Sequence, residues 1–260
     1  MATLFAIITV SFFMMKFAPG GPFDQEKSPP ENIRKAIMDK YHLDKPLYKQ
    51  YFIYLGGLAQ LDLGPSFKVA HLTVNEVISE GIGPTLKLGA LAMFIAVSFG
   101  LIIGLIAALN HNSWMDHFVM STAMLGISIP NMVLAPILLL FLGIKMRLLP
   151  VSGLETASSY ILPAFCLSLF FIANIARLTR GSMLEVLSSN YIRTARSKGL
   201  PTWRIVTFHC LKPTLIPVVS YLGPATAGML AGSLVIEKIF VIPGIGRQVV
   251  DSAFARDYTM

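Results

Sequence analysis

The sequence predicts an all-α integral membrane protein: a bundle of five spanning helices with one helical segment outside the bilayer. Three observations carry that fold class. The 260 residues are 54% hydrophobic and 13% charged, about half the charged fraction of a soluble domain, and the mean hydropathy is +0.66. Five apolar segments read as spans, by the rule that a helix needs roughly 20 apolar residues to cross hydrocarbon. The net charge of +7 sits where membrane topology places basic residues, so nucleic acid is not the expected partner.

The first span is Ala2 to Ala18. It begins without the positive leader and small-residue cleavage site of a signal peptide, and so reads as a membrane helix. The segment from Pro19 to Gly83 reads as ordered. Ser28-Pro29-Pro30-Glu31 is a capping box with proline in the first turn, and Ile33, Ile37 and Tyr41 then share a face. Leu47 to Leu58 repeats tyrosine and leucine at helical spacing and is expected to stop at Gly56-Gly57; Thr73 to Glu76 is a further capping box. Such a segment is either a helical cap on the membrane face or a surface that meets an external partner.

The remaining spans are Pro84 to Leu109, His117 to Gly143, Ile161 to Ala176 (extended by its flanks) and Pro213 to Ile236. Pro130 is expected to interrupt the third and Pro224 the fifth, as packing kinks or as openings for water. Gly100-xxx-Gly104 and Gly228-xxx-Gly232 each allow close helix approach. The stretch Arg177 to Lys212 reads as a loop with seven basic residues against one acid, Glu185, whereas Pro19 to Gly83 holds seven against eight. The positive-inside rule therefore puts the N-terminus and the basic loop in the cytoplasm and the long segment outside.

Several activities are excluded by motif. Apart from Lys87, no charged residue lies deep in an expected span, which argues against a proton-driven carrier. There is no phosphate loop for ATP, no H-E-x-x-H, no C-x-x-C and no G-x-S-x-G, so neither a membrane-bound enzyme nor a resident metal or cofactor is expected. His111 and His117 read as interfacial. Cys166 and Cys210 belong to different membrane segments and make no disulfide framework.

The basic loop has internal order. From Ser182, the residues Leu184, Leu187, Tyr191 and Ala195 form one apolar stripe, with Arg193, Arg196 and Lys198 on other faces. Gly199 suits a left-handed helix end and Pro201 prevents continuation. A second short helix from Thr202 carries Trp203, Val206 and Leu211 until Pro213 opens the last span. Helix, glycine break and helix lie either on anionic lipid or against a soluble partner that pushes on the bundle.

The run Arg193-Thr194-Ala195-Arg196-Ser197-Lys198-Gly199-Leu200-Pro201 resembles the cytoplasmic EAA loop of ABC importer permeases, in the form seen in the oligopeptide and dipeptide branch. Arg193 and Thr194 stand where the general motif has Glu and Ala, and Leu211-Lys212-Pro213 replaces its Leu-Pro. The resemblance covers essentially the whole chain. It extends to Ala18-Pro19-Gly20-Gly21-Pro22-Phe23, Leu63-Gly64-Pro65-Ser66-Phe67, Ala176 to Met183, Val241-Ile242-Pro243-Gly244-Ile245-Gly246-Arg247 and Arg256-Asp257-Tyr258.

The resemblance implies a type I ABC importer permease bundle, with residues 1–18 as first helix, 19–83 as external segment and 84–260 as transmembrane type-1 domain. It implies that Arg193, Thr194, Ala195, Arg196, Lys198, Gly199, Leu200, Pro201 and Trp203 couple the bundle to ATPase subunits. The implied partners are a second permease, two ATPases that hold ATP and Mg, an external peptide-binding protein and membrane lipid. The implied location is the bacterial inner membrane. Substrate-binding residues are not identified by motif. The family has six spans, so the chain is expected to be a fragment trimmed at both ends. A permease for dipeptides, nickel or a glycoside is the alternative within the class; a passive channel, which needs no coupling loop, is the alternative outside it.

Overall fold

The computed structural model describes residues 2–17, 45–64, 72–150 and 156–254. The expected capping box at Ser28 to Glu31, the face of Ile33, Ile37 and Tyr41, and the family-like stretches at Ala18 to Phe23, Pro65 to Phe67 and Arg256 to Tyr258 lie outside these residues. Every regular element among the described residues is a helix. The chain divides into two compact units, one of residues 1–82 with 248–260 and one of residues 83–247.

In the first unit, α1 (Ala2–Phe17) and α2 (Leu47–Ala59) are joined by aromatic packing. Phe12 is buried, stacks on Tyr54 at 5.4 Å between centroids, and lies 5.3 Å from Tyr51. The hydroxyls of Thr9 and Tyr51 hydrogen-bond at 2.7 Å. Helix α2 runs through Gly56-Gly57 to Ala59 instead of stopping there. Glycine weakens a helix by only ~1 kcal/mol, and the turn comes at Leu61, with φ 58°. Thr73 and Glu76 form the expected reciprocal box: Thr73 N–H donates to Glu76 Oε2 at 2.7 Å and Glu76 N–H to Thr73 Oγ1 at 3.3 Å. That box opens α3 (Val74–Leu109), whose first nine residues count with this unit.

The second unit contains the rest of α3, α4 (Trp114–Ser128), α5 (Asn131–Leu138, continuing as a π-helical stretch Leu139–Lys145), α6 (Ile161–Leu187), α7 (Asn190–Ser197), α8 (Thr202–Ile239) and the start of α9 (Ile245–Phe254). Helices α3, α6 and α8 are each long and apolar enough to cross a membrane without a break. Between α4 and α5 the axis turns by 106°, far beyond an ordinary kink. Pro130 forces this turn, because proline disfavours helical geometry in the residue before it and Ile129 is accordingly extended at φ −101°, ψ 118°.

Two sequence expectations need correction here. Pro224 does not interrupt the last span; α8 passes through Pro217 and Pro224 unbroken. Nor does Pro213 separate a short helix from that span. The helix starting at Thr202 is continuous with it through a π-helical stretch, Ile205–Cys210. A proline ring collides with the carbonyl four residues earlier in a regular α-helix, and the wider π turn just before Pro213 relieves that collision.

The core of this unit is a seam of α3, α6 and α8. Leu88, Ala92 and Ala96 meet Leu167, Phe171 and Ile175, with Val218, Ala225 and Met229 on the third side. In lipid the hydrophobic effect does not drive helices together, so close backbone approach matters most. A Cβ on Gly100 would lie 2.7 Å from Ile175 Cβ, and one on Gly104 would lie 2.5 Å from the Ala176 carbonyl oxygen. The first glycine pair is thus a true helix contact. The second is not: Cβ atoms on Gly228 and Gly232 would meet their neighbours at only 3.9 and 3.7 Å.

Candidate functional site

Helix α7 is the centre of the candidate site. Its chain enters at Ser189, extended at ψ 152°, immediately after α6 ends at Leu187. The break at Ser188 and Ser189 therefore splits the apolar stripe expected from Leu184 to Ala195. After the break the phase changes: Ile192 and Ala195 are buried, while Tyr191 is 48% exposed. The expected loop from Arg177 to Lys212 is mostly helix, since α6 carries Arg177 and Arg180 and α8 begins at Thr202.

The far end of α7 is a complete Schellman cap. Gly199 adopts φ +76°; its N–H donates to the Arg196 carbonyl at 2.9 Å, and Leu200 N–H donates to the Ala195 carbonyl at 3.3 Å. These are the two bonds that define the motif, and it requires a left-handed residue at this point. Leu200 folds back onto the cluster that holds Ala195. Pro201, at φ −67° and ψ 148°, then starts α8 through its carbonyl, which accepts from Arg204 and Ile205.

The two faces of α7 differ sharply. Its inner face packs into a separate core of Ala108, Met183, Ile192, Ala195, Ile205 and Cys210, drawn from α3, α6, α7 and α8. The buried Thr214 hydroxyl donates to Met183 Sδ at 3.3 Å, linking α6 to α8 beside it. Outward lie Arg193, Thr194, Arg196, Lys198, Gly199, Pro201 and Trp203, all exposed. Trp203 is 61% exposed, holds the Arg204 guanidinium 5.5 Å from its ring centre, and contacts Phe208 edge-on. Of the start of α8, Ile205 and Cys210 are the residues that turn inward.

Of the expected coupling residues, the structure thus buries Ala195, half-buries Leu200 and leaves the other seven open on one continuous surface. The arrangement is a basic, partly aromatic platform rigidly seated on the ends of three long helices. Among the described residues no group of His, Cys, Asp or Glu is placed to hold a metal ion.

Two buried carboxylates escaped the sequence reading. Asp116, 1% exposed, receives both Arg180 Nε and Nη2 at 2.7 Å and the Asn112 N–H at 3.0 Å. His111 Nδ1 lies 3.5 Å from it. Arg180 therefore pins the start of α4 onto α6 and is not simply a topological charge. Glu237, fully buried, accepts from Thr85 Oγ1 at 2.8 Å and Ser233 Oγ at 2.9 Å through Oε1, and from Arg247 N–H at 3.2 Å through Oε2. It stands one residue past the expected end of the last span, beside Lys238, where a charge looks like an ordinary flank. Its signal was the glycine spacing downstream, because any Cβ on Gly244 or Gly246 would collide with its carboxylate.

Residues 100–260 match the family described as binding-protein-dependent transport system inner membrane component. The chain is 50% identical over 260 residues to the oligopeptide transport system permease protein OppB of Escherichia coli (strain K12), an alignment covering 99% of this chain and 85% of that one. It is 48% identical to the protein of the same name from Haemophilus influenzae, with the same coverage. Against the dipeptide transport system permease protein DppB of Bacillus subtilis (strain 168) it is 44% identical over 257 residues, 99% of this chain and 83% of that one. A solved amino acid ABC transporter, crystallised with histidines, superposes with a TM-score of 0.53 at 20% identity, over 71% of this chain and 82% of its own; that likeness concerns the fold.

Proposed function

Because the chain belongs to the binding-protein-dependent transport inner membrane component family, and so is a permease subunit of an ABC importer of the oligopeptide and dipeptide kind, we propose that it carries peptides inward across the bacterial inner membrane and that α7 is where ATP hydrolysis on partner subunits acts on it. The observation that carries the coupling role is the two-faced seating of α7. Its inner side is sealed onto the ends of α3, α6 and α8, and its outer side is open.

A helix so placed transmits displacement. Two ATPase subunits holding ATP and Mg close around nucleotide and carry the α7 of each permease with them. Ile192 and Ala195 are packed against Met183 and Ile205, so the ends of α6 and α8 must follow. Arg193, Arg196 and Lys198 supply charge complementary to an acidic groove, Thr194 and Pro201 supply contact, and Trp203 is the amphipathic anchor at the edge. Gly199 and Leu200 fix the angle between α7 and α8. A second permease completes the path, and an external binding protein delivers peptide. The N-terminus lies in the cytoplasm on this reading, with residues 1–18 the first helix, 19–83 external and 84–260 the transmembrane domain. Oligopeptides are favoured over dipeptides by the identities of 50% and 44%.

The test uses the complete transporter in proteoliposomes. A photocrosslinking residue at Thr194 or Lys198 is expected to give adducts with an ATPase subunit, and wild-type vesicles are expected to take up peptide only with ATP and binding protein. Adducts with lipid alone, or ATP-independent uptake, refute the reading.

A further inference from the structure

The second glycine pair is left unexplained by the fold. Gly228 and Gly232 are spaced for a helix contact, yet no helix of the second unit approaches them closely. They instead help to open a cavity of about 270 Å³ between α5, α6 and α8, lined also by Asn131, Leu167, Phe170, Phe171 and Tyr221. The cleft is partly open, and its sheltered part is on the scale of one large side chain.

We propose that this cavity is the subsite in which a peptide in transit seats one bulky apolar or aromatic side chain, on the premise that peptides are the solute. Four features converge on it. Its floor is aromatic and aliphatic, from Phe171 and Leu167. Its polar groups are the Asn131 amide and the Tyr221 hydroxyl, and neither holds a hydrogen bond to another described residue. An amide that both donates and accepts, with a phenol beside it, matches the N–H and C=O of a peptide bond. The cavity also adjoins the 106° break at Ile129 and Pro130; irregular backbone at membrane depth is tolerated where it is buried or borders water, not where it faces lipid.

The fourth feature is the continuation of this face. Asn174 and Arg177 follow Phe170 at helical spacing on α6, and Arg177, exposed, donates to Asn174 Oδ1 at 2.9 Å. At the cytoplasmic end of this span such a charged side chain faces water or headgroups and not acyl chains, so the face leads from the cavity toward that side. The exposed Phe170 and the half-buried Tyr221 form a rim, which suits a single inserted side chain better than the flat face that a packed helix needs.

The experiment compares Gly228→Leu, Gly228→Ala and wild type in the reconstituted complete transporter, with trialanine and Ala-Phe-Ala as probes. Gly228→Leu is expected to lower the Ala-Phe-Ala to trialanine uptake ratio at least tenfold; Gly228→Ala is expected to hold the ratio within about twofold. An unchanged ratio in an assembled Gly228→Leu complex overturns the subsite. In parallel, a tripeptide with a photoreactive phenylalanine is irradiated on the wild-type complex during turnover. Adducts within 167–171 or 221–232 support the proposal even if the leucine variant does not assemble, and adducts confined to other segments refute it. Crosslinks from Gly228→Cys to the second permease, or to a photoreactive lipid, with none to peptide, also refute it. Wild-type vesicles that import no peptide sink the functional reading itself, a failure seen before any variant is compared.

Discussion

Replacing Gly199 with valine tests whether the angle between α7 and α8 matters to coupling. The residue sits at φ +76° with nothing within 4 Å of where a Cβ would stand, so a side chain there meets no steric obstacle and only the backbone term remains. For an L-residue the left-handed conformation costs roughly 1–2 kcal/mol, with a β-branched residue at the upper end and asparagine nearly exempt. If the two cap bonds from Gly199 and Leu200 were marginal, that cost lowers the population of the capped geometry by at most about 5- to 30-fold. The valine projects from the outer surface, but the charged and aromatic side chains there are unchanged, so ATPase docking is expected to be largely kept. Expected, then, is a series in which peptide imported per ATP hydrolysed falls from Gly through Asn and Ala to Val, at near-constant binding-protein-stimulated hydrolysis. The assay is parallel measurement of uptake and phosphate release in proteoliposomes. A valine variant with the wild-type ratio refutes the claim that the cap sets coupling; one in which hydrolysis collapses along with uptake shows that docking, not the angle, was lost.

Other perturbations probe the seating of that helix and its surroundings. Gly104→Ala places a Cβ 2.5 Å from the Ala176 carbonyl and should cost ~1–3 kcal/mol of overpacking, seen as a lower midpoint in thermal unfolding in detergent; Gly232→Ala, with 3.7 Å available, should leave that midpoint within a degree or two. Asp116→Ala removes both acceptors of the Arg180 fork, and at ~1.5–3 kcal/mol for a bond to a charged group should loosen α4 from α6, read as faster hydrogen exchange in 114–128 than in 202–239. Glu237→Ala leaves the Thr85 hydroxyl and the Arg247 N–H without this acceptor, while the Ser233 hydroxyl keeps the Leu230 carbonyl, at ~1–3 kcal/mol for each group that stays dry; Glu237→Gln, which keeps one acceptor oxygen, should recover part of the loss in the same unfolding measurement. Trp203→Ala should leave thermal stability unchanged, since the ring is 61% exposed, yet reduce ATP-driven uptake; full uptake would remove Trp203 from the coupling surface.

What could be read from the sequence was whatever depends on local chemistry. The capping box at Thr73 and Glu76, the left-handed Gly199 and the membrane class each follow from one or a few adjacent residues, and the structure bears them out. What failed depends on register and partners. Tyr191 was placed on the apolar stripe because nothing in the letters Ser188-Ser189 announces that α6 ends and α7 restarts with a new phase. Pro213 and Pro224 were read as breaks, while a π turn and neighbouring helices accommodate them. Gly100-xxx-Gly104 and Gly228-xxx-Gly232 are indistinguishable as text, yet one pair presses on the α6 backbone and the other meets only α6 side chains at ordinary contact distance. Asp116 and Glu237 were invisible for a similar reason: their partners, Arg180 and Thr85, are 64 and 152 residues away.

The placement of these contacts determines where motion can go. At one end of the second unit Arg180 ties α4 to α6, and at the other Glu237 ties α8 to α3 and to the turn at Gly244. Between them Gly100 and Gly104 press the backbone of α3 against α6 so closely that sliding requires separation first. A push on α7 therefore cannot be absorbed by shear along the seam of α3, α6 and α8; the three must move nearly as one. Compliance is left at the break between α4 and α5, where Pro130 has already removed the continuous hydrogen-bond ladder, beside the cavity that Asn131 and Gly228 line. On the proposed coupling role, work done at α7 would therefore be taken up at this break. Locking the break should stop import even with docking, hydrolysis and the α7 cap intact: a crosslink between cysteines at Ser128 and Met132, reversible by reductant, is expected to block peptide uptake in the oxidised state and restore it on reduction. Uptake that continues through the oxidised crosslink would place the moving hinge elsewhere.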